Sequence, residues 1–287
     1  MIDEKNKQLL TKAIDRISFL YIEYAKIEQS EFGIQIRRED KVAEVPITTV
    51  TCLLLGPGTS ITHRAVENIA KAGCSICWMG SDLAVFYTYG LPTTEKAKNI
   101  LTQAKFHESK MLHTEVIRKM FEYRYPDSHI KSKTIQELRG MEGQRVKAFY
   151  NEMASKYKVP WSGRRYNVQN FNGDDLVNKY LSALNHVFYA ITCAVIQMLG
   201  YSPALGFIHT GHVNAFVFDI ADLFKEELTI PLAFKLASET TEFNRNRMLT
   251  EYRFELFSKK IVKRMVDIIT NLFYTDSVVE TELTFWD

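Results

Sequence analysis

The spacing of hydrophobic residues along the chain changes near residue 92. Upstream, short runs rich in β-branched and aromatic residues lie between turn residues, a pattern typical of strands in a small sheet or sandwich. One helix interrupts them; Ser60 or Thr62 can cap its N-terminus, and Gly73 can close its C-terminus. The strand-like runs are FLYIEYAKIE, GIQIRR, VAEVPI, VTCLLL, CSICWM and LAVFYTY.

Downstream of Pro92, hydrophobic residues recur at helical spacing almost to the end of the chain. A long helix is predicted from Thr93 or Thr94 to about Tyr125. Further helices are predicted over about 132–158, 174–200 and 215–228, with one or two more between 231 and 275. Because strands come first and helices follow, the sequence predicts an α+β fold. Its parts are an N-terminal β domain, residues 1–92, and an all-α domain, residues 93–287.

The longest nearly apolar run, Val187–Leu199, spans 13 residues, whereas a membrane-spanning helix needs about 20. It is therefore expected to be a buried core helix. The first twelve residues contain no apolar stretch of the kind found in secretion signals, so a cytoplasmic location is expected. Cys74 and Cys77 have no second pair to complete a zinc site, and we interpret them as small hydrophobic residues.

The net charge of the chain becomes informative when it is summed over separate segments. The 287 residues are 46% hydrophobic and 24% charged, and their formal net charge is only +2. This composition excludes intrinsic disorder. Residues 1–94 sum to −1, residues 95–170 to +8 and residues 171–287 to −5. A segment of +8 is an electrostatic feature that favours a partner with a phosphate backbone.

Two carboxylates interrupt the segment Ala215–Phe224, whose other residues are apolar. Asp219 and Asp222 are three positions apart and therefore share one face of a helix. Because an unpaired buried carboxylate is costly, such groups are usually paired or bound to a metal. Two interpretations stay open: a cap or structural salt bridge, and a site for Mg²⁺ or Mn²⁺ beside a phosphate.

A third acid, Glu142, lies at the centre of a predicted core-facing stripe. The stripe comprises Ile135, Leu138, Glu142, Arg145 and Phe149, at steps of three and four residues. Glycines at positions 140 and 143 each cost the helix about 1 kcal/mol relative to alanine. Such a cost is easier to explain if something must approach the backbone closely. The alternative is a surface glutamate on a poorly formed helix.

Two histidines lie in the segment GFIHTGH, directly before the predicted acidic helix. His209 precedes Asp219 by 10 residues and Asp222 by 13, and His212 precedes them by 7 and 10. A satisfied polar histidine and a metal ligand are both compatible with this placement. Since imidazole is tolerated better by Mn²⁺ than by Mg²⁺, a set of Glu, His and Asp suits either ion.

Cations and aromatic rings that suit a DNA backbone occur in two patches. The stretch WSGRRYN combines Arg164, Arg165 and Tyr166 with a tryptophan, a mixture typical of sites for nucleic-acid strands. Between positions 242 and 264, seven basic residues, with Arg245 and Arg247 among them, accompany three acids. Each patch alone could be a solvated helical face, but the +8 segment favours DNA binding for both.

Together these stretches resemble the Cas1 family, the CRISPR-associated integrases and endonucleases of spacer acquisition, and its type I-E branch in particular. The resemblance is carried by LLLGPGTSIT with the following HRAVENIAKAG, by the centred Glu142, and by GFIHTGHVNAFVFDIADLFK. It covers most of the chain, in the family's order. It implies an N-terminal β domain that dimerises and a helical domain that binds DNA and performs catalysis.

Carried over residue by residue, the resemblance implies metal ligands at Glu142, His209 and Asp222, with Asp219 as an auxiliary catalytic acid. His212 then lies beside the ligands or towards the substrate. The family's strand-splitting tyrosine falls in the first β segment, where Tyr21 and Tyr24 are the candidates and Tyr24 fits the pattern better.

The resemblance also implies a reaction and partners. Bound Mg²⁺ or Mn²⁺ polarises a phosphodiester of the CRISPR repeat and helps activate the 3′-hydroxyl of the incoming prespacer, so that DNA is joined by transesterification. Two Cas1 homodimers bridged by a Cas2 dimer would hold the duplex. Two other functions remain open: a non-catalytic DNA-binding scaffold whose acids form salt bridges, and a metallo-phosphodiesterase acting on small nucleotides.

Overall fold

A computed structural model describes residues 18–39, 41–90, 97–125, 133–165 and 175–274. Within these ranges all strands precede residue 91 and all but one of the α-helices follow residue 97, which confirms the predicted α+β fold. The strands are β1 Leu20–Ile22, β2 Lys26–Ser30, β3 Gly33–Arg38, β4 Lys41–Val45, β5 Cys52–Leu55, β6 Ser60–Ile61, β7 Ser75–Met79 and β8 Phe86–Gly90. The helices are α1 His63–Lys71, α2 Lys98–Glu108, α3 Lys110–Arg124, α4 Ile135–Tyr157, α5 Leu176–Met198, α6 Ala215–Asp222, α7 Thr229–Glu239, α8 Arg245–Ser258 and α9 Ile261–Leu272.

The strands form two four-stranded sheets. One has the order β1-β5-β7-β8, in which only β8 is antiparallel to its neighbour. The other has the order β4-β3-β2-β6 and contains an antiparallel meander. The helix predicted between strands is α1; the Thr62 hydroxyl accepts from Ala65 N at 3.3 Å and so caps it. Gly73 follows with a left-handed φ of +68°.

The run predicted to begin at Phe19 is two strands that belong to different sheets. β1 pairs with β5 and β2 pairs with β3, so the chain crosses between sheets at Glu23–Ala25. Tyr24 lies at the crossing with φ +45°, and its N–H donates to the Pro57 carbonyl at 2.9 Å. A Cβ at Gly58 would lie 2.5 Å from the Tyr24 ring. Glycine in the loop after β5 therefore makes room for this exposed tyrosine.

The helical part differs from the prediction in its divisions. The single helix predicted up to Tyr125 is wrong, because extended backbone at Ser109 (ψ 113°) separates α2 from α3. The Ser109 hydroxyl accepts from Leu112 N at 3.5 Å, so it caps α3 instead of continuing α2. α6 ends at Asp222 instead of near residue 228, and three helices follow residue 229 where one or two were predicted. The predicted domain boundary at residue 92 lies outside the described residues.

α5 is the central element of the helical part. It is long and apolar enough to cross a membrane, but 89% of its most apolar 18-residue stretch is buried inside the protein. The predicted core helix is therefore confirmed. One hydrophobic core joins α5 to Phe19, just before β1, and to strand residues such as Leu54 and Cys77, and a smaller core lies under α1. All four cysteines are buried and none of them forms a disulfide, consistent with the interpretation of Cys74 and Cys77 as small hydrophobic residues.

A buried histidine on α5 makes stability depend on pH. Burial lowers the pKa of His186 from 6.5 to about 4, although hydrogen bonds with the backbone of Leu83 and Ser182 act in the opposite direction. Because the unfolded chain binds the proton more readily, stability is lost as the pH falls from about 6.5 towards 4. We expect His186 to lower the free energy of unfolding by about 2 kcal/mol between pH 7.5 and pH 5.

Guanidinium chloride unfolding of the wild type and of His186→Gln, at both pH values, measures this term. The glutamine variant lacks the titrating ring, so it should lose less stability than the wild type when the pH falls from 7.5 to 5. A difference that is independent of pH would contradict the assignment.

Candidate active site

Glu142 lies on α4, the helix predicted from the stripe of residues at three- and four-residue steps. Thr134 caps the helix through a capping box with Glu137, whose carboxylate accepts from Thr134 N at 2.7 Å. Leu138 is fully buried, so this face does point to the core. Glu142 follows it one turn later with only 22% of its side chain exposed. A Cβ at Gly140 or Gly143 would meet open space. That a partner approaches the backbone closely at these glycines stays a prediction.

The last two residues before position 126 hold the Glu142 carboxylate. Arg124 Nη1 donates to one oxygen at 2.5 Å, and the Tyr125 hydroxyl donates to the other at 2.8 Å. Burial and this bond raise the pKa of Tyr125 to about 12. Glu142 is therefore fixed by donors from α3, not by its own helix.

His209 lies in a tight turn that a buried carboxylate organises. Asp219, on α6, is fully buried and accepts from the backbone N–H groups of Phe207, Ile208 and His209 at 2.5, 3.1 and 2.8 Å. It also lies 2.8 Å from His209 Nδ1. At Gly206 a Cβ would collide with the carbonyl of His209, so only glycine allows the chain to turn this sharply. Asp219 thus positions His209, and its predicted catalytic role stays a prediction.

The bond to Asp219 decides which nitrogen of His209 is available. With Nδ1–H donated to the carboxylate, Nε2 faces outward, 3.9 Å from Asp222 Oδ2. The hydrogen bond to Asp219 and the charge of Asp222 together raise the pKa of His209, against the opposing effect of burial. The arrangement is the one in which a carboxylate orients a histidine for a ligand on its far side.

Asp222 lies three residues after Asp219 and shares its face, as predicted, but it has different partners. Its Oδ1 lies 2.5 Å from Lys225 Nζ, and its Oδ2 lies 3.9 Å from Arg124 Nη2. Burial acts to raise the pKa of Asp222, but Lys225, Arg124 and His209 outweigh it and lower the pKa. Lys225 is itself buried and donates to the Tyr189 hydroxyl at 2.8 Å. Asp222 is therefore held ionised in a nearly closed site.

Arg124 occupies the space between the two carboxylates. Its side chain is only 8% exposed and contacts both Glu142 and Asp222. Arg124 was not predicted as a site residue, because a basic residue in the last turn of a helix is already explained by the helix dipole. Lys225 was not predicted either, although its spacing of three residues from Asp222 was a usable signal.

The donor set fits a divalent cation, although the three groups do not enclose one as they stand. Among the described residues, no three His, Cys, Asp or Glu groups converge at metal-binding distance. The Arg124 guanidinium supplies the positive charge between Glu142 and Asp222. The buried Oδ1 of Asp222 makes no hydrogen bond of good geometry in spite of its contact with Lys225. Two carboxylates, a spare oxygen lone pair and an outward-facing imidazole nitrogen suit Mg²⁺ or Mn²⁺.

The predicted DNA-binding residues near position 164 have different surroundings. Arg164 donates to Asn178 Oδ1 at 2.8 Å and to Ser182 Oγ at 3.1 Å, so it ties its loop to α5. Arg165 is exposed, with a 3.1 Å bond to Ser162 Oγ. Tyr166 lies outside the described residues. Of the two arginines, which the structure describes, Arg165 is the exposed one that a DNA backbone can reach.

Arg245 is committed to the β-sheet region. It forms an ion pair with Glu23, lies 3.9 Å from Asp82 and stacks over the Tyr21 ring at 5.2 Å. Tyr21, the second candidate for strand splitting, is thus part of this contact, whereas Tyr24 is 69% exposed.

Arg247 and His212 also have partners within the chain. Arg247 pairs with Glu239 and, at 2.8 Å, with Glu251. Arg245 and Arg247 are thus both paired with acids of the same chain. That either residue binds DNA stays a prediction. His212 is exposed and its Nδ1 accepts from Asn214 N at 3.0 Å, while its ring lies 5.0 Å from the Phe218 ring.

Replacement of Asp219 by asparagine should destabilise the protein. An amide has one acceptor oxygen for four donors, and its NH₂ group would face an N–H group in a fully buried position. We expect Asp219→Asn to lower the free energy of unfolding by about 3 kcal/mol, measured by urea denaturation. Asp267→Asn, at an exposed position on α9, is the matched control and should change it little; equal effects would refute this role for Asp219.

Comparisons with known proteins show which family the chain resembles. Residues 123–256 match the family model described as CRISPR associated protein Cas1; this range includes Glu142, His209 and Asp222. The chain is 39% identical over 249 residues to the "CRISPR-associated endonuclease Cas1 2" of Chlorobaculum tepidum, with 86% of this chain and 84% of that protein covered.

Solved structures give the same result. The structure described as the TtCas1–DNA complex superimposes with a TM-score of 0.84 at 34% identity, covering 94% of this chain and 96% of that one. A chain of a Cas6-RT-Cas1–Cas2 complex shares the fold, with a TM-score of 0.65 at 14% identity over 89% of this chain and 34% of that one. Because a relative 39% identical covers 86% of the chain and the fold of a solved Cas1 structure matches it, the chain belongs to the Cas1 family of CRISPR-associated proteins.

Proposed function

We propose that this protein is a metal-dependent DNA endonuclease and integrase that inserts prespacers into a CRISPR repeat by transesterification. The observation that carries the proposal is that Glu142 and Asp222 both contact Arg124, while His209 Nε2 lies 3.9 Å from Asp222. Assignment to the type I-E branch rests on the sequence motifs alone.

Glu142, Asp222 and His209 Nε2 would hold Mg²⁺ or Mn²⁺. When bound, the ion would act as a Lewis acid that polarises a phosphodiester, and it would lower the pKa of a hydroxyl group. The protein's own contribution is to keep the ligands in their reactive forms. Asp219 keeps His209 in the tautomer with Nε2 available, and Lys225 keeps Asp222 ionised.

Arg124 gains a further role in this function. Its guanidinium is paired with Glu142 and near Asp222, where it matches the charge of the carboxylates. With a cation and a DNA phosphate both present, the guanidinium is free to pair with phosphate oxygens instead, a geometry that arginine favours. Stabilisation of charge that develops on the phosphate would then come from a residue already in place.

The partners follow from the family and from the surface. The TtCas1 structure is described as a DNA complex, and the more distant Cas1 chain lies in a complex with Cas2. We infer double-stranded DNA, a second copy of this chain at the β domain and a Cas2 dimer as partners, in the cytoplasm. Tyr24, with 69% of its surface exposed at the crossing between sheets, is the residue proposed to separate the strands at a DNA end.

Removal of any one proposed ligand should abolish strand joining without unfolding the protein. Glu142→Ala, His209→Ala and Asp222→Ala are each expected to lower the Mn²⁺- or Mg²⁺-dependent rate by about a hundredfold or more, since ligand geometry controls such sites. The rate is measured with a short duplex and a supercoiled repeat plasmid, with and without the Cas2 partner. Glu152→Ala, exposed on the same helix as Glu142, is the matched control.

The same experiment distinguishes the two other functions. A DNA-binding scaffold would bind DNA with a strong salt dependence and would join no strands with either metal. A phosphodiesterase for small nucleotides would turn over small substrates and show no preference for the repeat plasmid. Full activity of Asp222→Ala would refute the site assignment.

Tyr24→Ala should weaken the recognition of duplex ends. Loss of a stacking ring costs about 1–3 kcal/mol per base, so affinity for a duplex with splayed ends should fall about tenfold, with little change for single strands. Fluorescence anisotropy measures both. Tyr87→Ala, at a tyrosine that is 67% exposed, serves as control, and an equal loss in the two variants would argue against a special role for Tyr24.

A further inference from the structure

The segment that leads to His209 is held by side chains from three other helices. Asn99 on α2 donates to the carbonyl of Leu199 at 2.6 Å. Gln103, fully buried on the same helix, donates to two carbonyls of the segment at 3.0 and 2.9 Å and accepts from the Ser202 N–H at 2.7 Å. Arg139 on α4 donates to the carbonyl of Ile208 at 3.2 Å. The peptide groups before His209 are therefore fixed from outside the turn.

His113 on α3 belongs to this set and differs from the other members. Its Nδ1 lies 2.9 Å from the carbonyl oxygen of His107, and its Nε2 lies 3.0 Å from the carbonyl oxygen of Phe207. Carbonyl oxygens only accept, and a neutral imidazole has one N–H donor. If His113 were neutral, a nitrogen lone pair would face a carbonyl lone pair. Two good hydrogen bonds require a proton on each nitrogen.

We propose that His113 is an imidazolium in the folded protein and that it is a positioning residue for His209. Phe207 donates its N–H to Asp219 and accepts from His113 at its carbonyl. A buried anion and a cation thus hold one peptide segment from opposite sides, two residues before His209. Loss of the His113 proton would release the Phe207 carbonyl and loosen the turn.

The surroundings of His113 favour the cation. Its partner carbonyl, that of His107, is in the last turn of α2, where unpaired carbonyls and the helix dipole attract positive charge. The groups that face the ring are the His107 imidazole, 5.3 Å away between ring centroids, and the Phe207 ring at 5.0 Å. From the turn and from the end of α9 the packed neighbours are aromatic, Phe207 against Phe273 at 5.8 Å. The titratable and charged groups on the packed helices are His107 on α2 and Arg139 on α4, which donates to the carbonyl of Ile208, next to that of Phe207.

Nitrogen NMR of the full chain with ¹⁵N-labelled histidine tests the protonation directly, without metal or DNA. At pH 7 both ring nitrogens of His113 should resonate as protonated nitrogens, with the signals assigned by their loss in His113→Arg. One protonated and one unprotonated nitrogen would overturn the proposal. The positioning role rests on the proposed function, but this measurement does not, so the failure of one can be told from the failure of the other.

Strand-joining rates test the positioning role. His113→Leu should lower kcat about tenfold with DNA affinity unchanged, as expected for lost hydrogen bonds to a charged group. His113→Arg keeps two donors at every pH, so it should remain within about twofold of the wild type at pH 6, and its rate relative to the wild type should rise about tenfold by pH 9.

His107→Ala is the control, because it removes the neighbouring imidazole and keeps the carbonyl. A relative rate that stays constant with pH, or an arginine variant as slow as the leucine variant, would overturn the positioning role. Circular dichroism of each variant identifies one that fails to fold, and the NMR result on the wild type then decides whether His113 is an imidazolium.

Discussion

The candidate site depends on one buried anion, Asp219. It has no exposed surface and no lysine or arginine partner among the described residues, so its charge must be balanced by dipoles and by His209. Three consecutive backbone N–H groups point at it, which forces residues 207–209 into a turn around the carboxylate. The direction of His209 is therefore a consequence of how this one charge is solvated.

The charges around Asp222 do not act mainly to stabilise the fold. A buried ion pair seldom contributes more than well-packed apolar residues would, because desolvation offsets the attraction. Here two cations, Arg124 and Lys225, and two carboxylates, Glu142 and Asp222, share a site that is at most one quarter exposed. Such a cluster is explained by function if the charged groups of a bound substrate replace the present ion-pair partners. Glu142 and Asp222 lie on the helices α4 and α6, whereas Arg124 is the last residue of α3 and reaches both carboxylates through a long side chain.

The sequence identified the acids because each interrupts an apolar pattern, and patterns of that kind are local. The order of strands and helices was predictable for the same reason. Ser109 could not be predicted as the point where one helix ends and the next begins, since serine is tolerated inside helices. Only its capping bond from the Leu112 N–H shows that α3 begins there. The pairing of Arg245 with Glu23 spans 222 positions, so local spacing carries no trace of it. Arg245 therefore looked more available to DNA than it is, whereas Arg247 pairs with Glu251 only four positions away, a spacing that the sequence does show.

The same Arg245 contact has a consequence for how the two parts of the molecule work together. Glu23 immediately precedes Tyr24, and Arg245 is the first residue of α8, so this ion pair joins the crossing between sheets to the helical part. α8 and α6 both pack against α5, whose core is continuous with the first sheet. The strand crossing that carries Tyr24 is therefore connected through Arg245, α8 and α5 to the helix that carries Asp219 and Asp222. An arginine that its sequence context assigned to DNA instead joins the two parts of the molecule.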